Sequence, residues 1–389
     1  MKSKLNIFNS FAFIFFIVFI ILDKPNAEPL KDKFQKELYK KDNQEAYLGL
    51  YLSSLAAAKD GDFSKAAELS ISALNKNKND INLMKNALKM SLFSGEIKKA
   101  SQLASTIELN DEKLSSINLI PTIVMELKRN DLDSANEVSN LLDFQNHHVF
   151  ISTIIKAWHY NNLNQHAYSL TILDQLSLDL DETSEEINLF IDIQALAISS
   201  LNENSEETKR RYNNILINYE SFPIRFLLPL AKIIYSNGDK EKGLSFLKDN
   251  LSKAYDINNA YLLLKNNNED TPTLSIARAM FEAGLMVARS KGILSALPYF
   301  WCSIELNPDY IESKLLLASF FSEINQNLKA LEILDKEYLS SPYLPIIAYE
   351  KSYIYESLGE YGLAQDALLN FLNHDSFRNQ ALLRSANLL

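Results

Sequence analysis

The sequence predicts an all-α fold, a superhelical array of about nine antiparallel helix hairpins. Three observations carry this. Small residues recur at one spacing: Ala66, Ala100, Ala135, Ala167, Thr208, Gly243, Ala296, Ala330 and Ala364 lie 34, 35, 32, 41, 35, 53, 34 and 34 residues apart. Short polar turns precede them by three to five residues, as in "KDGDF", "FSGEI", "KRNDL", "SNGDK" and "SLGEY". Helix breakers are scarce, with nine Gly and ten Pro in 389 residues, which argues against a strand-and-turn-rich fold.

The physical unit behind the spacing is a hairpin of two helices, A and B, joined by a tight turn. The turn glycines Gly61, Gly95, Gly238 and Gly359 can adopt the left-handed conformation that ends helix A. The small residue on helix B faces helix A and lets the two axes approach, while larger apolar residues fill the space around it. A second small or apolar residue follows seven later, as in Ala73, Ile107 and Ser303. One hairpin cannot bury its apolar stripe alone, so stacked hairpins share a continuous core.

Taken in chain order, residues 1–27 read as a signal peptide or an N-terminal anchor. Lys2 and Lys4 precede an apolar run from Phe11 to Leu22, and Ala27 follows as a small exit residue. The run is shorter than the roughly 20 residues of a spanning helix. If it is not cleaved, residues 5–22 are the chain's expected membrane contact. Either way the rest of the chain is expected outside the cytoplasm, in the periplasm. Residues 28–45 form a linker or first helix, and 46–270 an array of degenerate hairpins. Within it, Ala254–Lys265 adds one extra helix, and the polar "NNNEDTP" before Thr273 marks a break near 270. Residues 271–389 form a regular array. Its last stretch, "NQALLRSANLL", repeats the pattern of a helix A through Leu382, Ala386 and Leu389, with no helix B after it. The stretch reads either as a short cap folded onto Leu368 and Phe371 or, as the favoured reading, as a half repeat that ends a truncated form of a longer array.

The formal charge is −10, and loss of residues 1–27, which hold three Lys and one Asp, leaves −12. Without a basic block, nucleic acid is not an expected partner. The single cysteine, Cys302, permits no internal disulfide and reads as a small buried residue between Trp301 and Ser303. His147, His148, His159 and His166 cluster in sequence without the spacing of a zinc site. They read as a loop pair and two helix-surface residues, with no metal and no cofactor expected. The acidic run "LDLDETSEE" lacks the Gly and terminal Glu of a calcium loop. Thr183 and Glu186 there read as a capping box before "INLFIDI". No phosphate loop, nucleophile elbow or metalloprotease His pair occurs, so the chain is read as non-catalytic.

The hairpin grammar resembles the tetratricopeptide repeat family. The match is best over Gly284, Ala296, Phe300, Ser303 and Pro308, then Ala318, Ala330, Leu334 and Pro342, then Ser352, Tyr355, Gly359, Tyr361 and Ala364. It is weaker over Ser54, Phe63, Ala66 and Ala73, and over Gly95, Ala100 and Ala104. The chain also resembles exported, repeat-only alphaproteobacterial proteins. The family resemblance implies that helix A lines a concave groove. Carried over, its inward positions are Arg278, Phe281, Leu285 and Ala288, then Glu312, Leu315, Ser319 and Ser322, then Ile346, Tyr349, Tyr353 and Glu356. The family's carboxylate clamp is missing, since Lys, Asn and Arg do not stand where it needs them. The implied function is an exported scaffold that binds a protein, as an extended peptide or an amphipathic helix. The alternative is a cell-wall or polysaccharide-associated accessory protein whose groove meets a glycan or a glycan enzyme.

Overall fold

The computed structural model describes residues 45–108, 115–180, 184–202, 205–237, 239–251, 255–265, 271–335, 341–369 and 378–387. The expected export segment, Thr183, Gly238 and Leu389 lie outside them. Among the described residues the regular structure is entirely helical. Six hairpins come first: α1 (Glu45–Lys59) with α2 (Phe63–Lys76), α3 (Ile81–Ser94) with α4 (Ile97–Glu108), α5 (Ser116–Lys128) with α6 (Leu132–Ser139), α7 (Asn146–Asn162) with α8 (His166–Asp179), α9 (Glu185–Leu201) with α10 (Ser205–Asn218), and α11 (Ile224–Ser236) with α12 (Lys240–Asn250). A lone helix follows, α13 (Ile257–Lys265), where the extra helix was expected. Three more hairpins are α14 (Pro272–Lys291) with α15 (Ile293–Leu306), α16 (Ile311–Glu323) with α17 (Asn327–Leu334), and α18 (Leu344–Ser357) with α19 (Tyr361–Leu369). Helix α20 (Arg378–Asn387) comes last.

Each hairpin is built by local chemistry. Six of the described turns place one residue in the left-handed region: Gly61, Gly95 and Gly359 at φ 78°, 86° and 77°, and Asn130, Asn164 and Asn325 at 59°, 60° and 62°. Asparagine reaches this region because its short polar side chain tolerates it. The next residue caps helix B. Asp62, Asp131 and Asp239 accept from the backbone N–H of Lys65, Ser134 and Lys242 at 2.9, 2.9 and 3.0 Å. Four residues beyond the cap, Ala66, Ala100, Ala135, Ala296, Ala330 and Ala364 are fully buried. A Cβ on Gly243 would lie 3.0 Å from the Ala231 carbonyl oxygen, and one on Gly284 would lie 2.5 Å from the Phe300 ring. Pro308 follows the end of α15, and Pro342 precedes α18, where each interrupts the chain between hairpins. Ala318 is buried on α16.

Several local expectations need correction. In the fourth hairpin Ala167 is exposed, and Ser169 takes the buried position. Its hydroxyl donates to the Ala157 carbonyl at 2.7 Å, so a serine fits where alanine usually stands. Ser184, not Thr183, caps α9, accepting from Ile187 N–H. His147 and His148 are not in a loop; they form the first turn of α7 and are buried. In α20 the inward residues are Ala381 and Arg384, while Leu382 and Ala386 are exposed. The α20 position is that of a further helix A. Arg384 donates to Ser352, 32 residues earlier, just as Asn86 on α3 donates to Ser54 on α1.

The hairpins do not touch only their sequence neighbours. Helices α14 and α15 lie across the first hairpins, against α7, α5 and α3. The Trp301 indole N–H donates to the Phe93 carbonyl at 2.9 Å, and its ring covers Gly95, where a Cβ would sit 2.7 Å from it. Ile324 covers Gly61 in the same way, and Gln326 donates to the Asp60 carbonyl. Arg225 of α11 bonds Glu282 of α14 at 2.8 Å and Glu186 of α9 at 2.9 Å. Although burial opposes its charge, those two carboxylates hold the Arg225 guanidinium protonated.

His148 also pins this seam. Its Nδ1 lies 2.6 Å from Asp143 Oδ1, and its Nε2 lies 2.8 Å from the Tyr299 hydroxyl of α15. A carboxylate only accepts, so Nδ1 carries the proton and the neutral ring accepts from Tyr299. Burial lowers the pKa of His148, against the pull of Asp143. The neighbouring His147, 7% exposed, is pushed down to about 4 by burial, then by His148 and Lys291. Burial opposes ionisation of Asp143 too, but hydrogen bonds from His148 and Gln145 hold its carboxyl well below the usual range.

Two measurements check this architecture. Ala330→Leu should cost about 1–3 kcal/mol in urea unfolding through overpacking, whereas Ala167→Leu should stay within about 0.5 kcal/mol. Equal costs would mean the register at Ser169 is wrong. The second concerns pH. His147 has its folded pKa depressed from 6.5 to about 4, so its stabilising contribution is complete above 6.5 and is lost as pH falls toward 4. The shift corresponds to about 3 kcal/mol. Stability measured across that window should fall in the wild type and fall less in His147→Phe; identical profiles would contradict the buried neutral histidine.

Candidate functional site: the inner face of the C-terminal hairpins

The twelve inward positions taken from the repeat pattern fall on α14, α16 and α18, and the structure gives them different fates. Phe281 is buried, its ring 5.6 Å from Phe300 and 5.4 Å from Tyr310. Leu285 and Ala288 are partly buried against the main core, and Arg278 is partly buried on the same helix. On α16, Leu315 packs with Ile224, Ile311, Tyr343 and Ile347, joined by Leu228, Leu251, Tyr255 and Ile346. Residues of the sixth hairpin and the segment after it thus cover this part of the face. The backbone agrees, since Asp256 N–H donates to the Pro342 carbonyl at 2.9 Å.

Glu312 accepts a hydrogen bond from the Tyr343 hydroxyl. Burial pushes its carboxyl upward, and Tyr343, Arg225 and Arg278 pull it back. Tyr343 itself is raised well above the ordinary phenol range, by burial first and then by Glu312. Ser319 is partly buried, and the Ser322 hydroxyl donates to Asn327.

The ninth hairpin keeps its inner face. Tyr349 and Tyr353 stand one turn apart on α18, rings 5.1 Å apart and hydroxyls 3.2 Å apart. Burial and the Tyr353 hydroxyl push Tyr349 up to about 12. Tyr353 is 42% exposed. The Arg384 guanidinium of α20 stacks on its ring at 3.8 Å and pairs with Glu356. The structure therefore brings Tyr349, Tyr353 and Glu356 together around an arginine that the repeat pattern does not point to.

Other sequence candidates are tied into the fold. The Cys302 thiol is fully buried, and burial pushes its pKa up. His159 lies 3.0 Å from Asp133, and His166 bonds Asn161 at 2.8 Å. Among the described residues no group of three or more His, Cys, Asp or Glu is placed to hold a metal ion. No described helix is long and apolar enough to cross a membrane. The Asp143–His148–Tyr299 chain escapes sequence reasoning because His148 and Tyr299 are 151 residues apart.

No family model matches the sequence, and no curated protein matches it. Solved structures do. A tetratricopeptide repeat protein from Parabacteroides merdae aligns with 66% of this chain and 98% of its own, at 15% identity and a TM-score of 0.42. The Naa15/Naa10 complex bound to HypK-THB aligns with 88% of this chain and 55% of that one, at 12% identity and a TM-score of 0.35. The P58(IPK) TPR domain aligns with 90% of this chain and 98% of its own, at 14% identity and a TM-score of 0.26.

Proposed function

We propose that this chain is a non-catalytic scaffold that binds a protein segment through the inner face of its ninth hairpin, outside the cytoplasm. The observation that carries this is the contrast along the inner face. Phe281, Leu315 and Glu312 are consumed by the chain's own packing, while Tyr353 remains exposed beside Tyr349 and Arg384. Tyrosine is among the residue types that carry most energy at protein interfaces, because its ring gives large contact area with two side-chain rotors. A partner segment in extended or helical form suits a face of this kind.

Chemistry has little foothold. The acid–histidine–hydroxyl chain of Asp143, His148 and Tyr299 has the group types of a proton relay, yet His148 and Tyr299 are each 2% exposed. The groove carboxylates that a glycan reading of this face needs, Glu312 and Glu356, are engaged by Tyr343 and Arg384. The extracytoplasmic location rests on Lys2, Lys4, the Phe11–Leu22 run and Ala27.

Two tests follow from this reading. Crosslinking in cell-envelope fractions should recover partners with the wild type and about tenfold less with Tyr349→Ala/Tyr353→Ala, the thermal melt confirming the fold. Equal yields would remove the ninth hairpin from the interface. Fusing residues 1–45 to a reporter active only outside the cytoplasm should give activity that Lys2→Glu/Lys4→Glu together with a charge in the apolar run abolishes; a silent wild-type fusion would refute export.

A further inference from the structure

We infer that the cleft between α8 and α10 is a binding site for an uncharged saccharide, separate from the inner face and independent of the scaffold reading. The cleft is open to solvent, with a volume of about 830 Å³. That lies within the roughly 300–1,000 Å³ of small-ligand sites. It continues into a smaller polar recess bounded by Asp192, Asn214 and Asn218.

The floor is a closed ion network. Arg211 donates to both oxygens of Asp174 at 2.8 and 2.9 Å, and its Nε lies 2.7 Å from Glu207. Arg210 donates twice to Glu207, at 2.8 and 2.6 Å. Two guanidinium groups thus face two carboxylates on the floor, and a third carboxylate, Asp192 in the adjoining recess, accepts from the Tyr219 hydroxyl at 2.9 Å, burial pushing its pKa up. An anion finds no guanidinium that is not already paired, and a cation finds no carboxylate that is not already paired. A ligand rich in hydroxyls meets no such barrier. The Asp174 side chain is 57% exposed, so its oxygens keep lone pairs for O–H donors.

The walls supply the other parts of sugar recognition. Asn164 and Gln165 line the cleft with amides, each able to donate and accept at once, which matches neighbouring hydroxyls on a ring, and Asn202, whose amide N–H groups bond Asn161 and the Ile198 carbonyl, adds an acceptor. Gln165 is informative by comparison. It occupies the helix B cap position that Asp62, Asp131 and Asp239 use to bond the backbone, yet its side chain makes no cap bond and is exposed. The fold does not consume this amide. Tyr168, 45% exposed, lines the same cleft, and its ring is held edge to face with Tyr160 at 4.7 Å. A held aromatic face with negative potential is the complement of the C–H face of a pyranose.

The test uses the full chain with maltotriose, cellotriose and a chitin trisaccharide as neutral probes, and inorganic phosphate as the anionic control. Calorimetry should show millimolar or tighter binding of at least one sugar and none of phosphate. Tyr168→Ala should weaken that binding about tenfold, and Gln165→Ala several-fold, with unchanged melting temperatures because both side chains are exposed. Hydrogen exchange should place the protection at residues 164–174 and 205–211. Binding of none of the three sugars, binding that both variants leave intact, protection elsewhere, or a preference for phosphate would each overturn the assignment. None of these outcomes bears on the Tyr349/Tyr353 crosslinking result.

Discussion

At the fourth residue after the cap of helix B, the helix passes so close to its helix A partner that the side chain there must be small. Ala66, Ala100, Ala135, Ala296, Ala330 and Ala364 satisfy this with a single methyl group, and Ser169 with a hydroxyl that bonds the facing backbone. The rest of the hairpin depends on that contact. It sets the interaxial distance, which sets how far the large side chains around it interdigitate. It also fixes which residues of helix A point toward the next hairpin and which toward the inner face. The left-handed turn residue and the helix B cap act together with it, because a helix that begins one residue early or late turns its small residue away from the contact.

A second constraint is not local. Hairpins seven and eight cross the turn ends of the first three and lean on the fourth through α7. Trp301 over Gly95 and Ile324 over Gly61 use the two turn glycines twice, once for their positive φ and once because a Cβ would collide. Polar groups caught in this seam pair there, Arg225 with Glu282 and Glu186 and His148 with Asp143 and Tyr299, while Glu282 Oε2 is buried without a hydrogen-bond partner. Such pairs cost desolvation and return it only with good geometry, so they select one docking of the two parts over others. A nearest-neighbour solenoid unfolds repeat by repeat. Here a single main core runs from Phe63 to Ile354, which couples the early hairpins to the late ones.

The same crossing decides what surface remains for function. An inner face that would line an open groove is covered over Phe281 and Leu315, and stays accessible at Tyr353. The α8–α10 cleft is lined by other residues, among which Gln165 and Tyr168 stay in solvent. The proposed protein interface and the proposed saccharide site therefore occupy surfaces that the chain's own packing leaves free.

Much of the fold was legible in the residues because its rules are short-range. Turn glycines and asparagines, the acidic caps, and small residues recurring at 34 or 35 positions all express contacts within one hairpin, which a linear pattern can carry. The register slip of Ala167 for Ser169 came from a hydrogen bond that lets a polar residue do what alanine does elsewhere. The candidate site was legible only as a set of helix positions. Whether Phe281 or Tyr353 faces solvent, whether His147 is neutral, and where Arg384 lies depend on partners tens to hundreds of residues away. Those distances carry no periodic signal. The sequence by itself determined the hairpin and its repeat; the tertiary structure decided which of the helix A positions stay open, because burial is a property of the neighbours that arrive and not of the residue that waits.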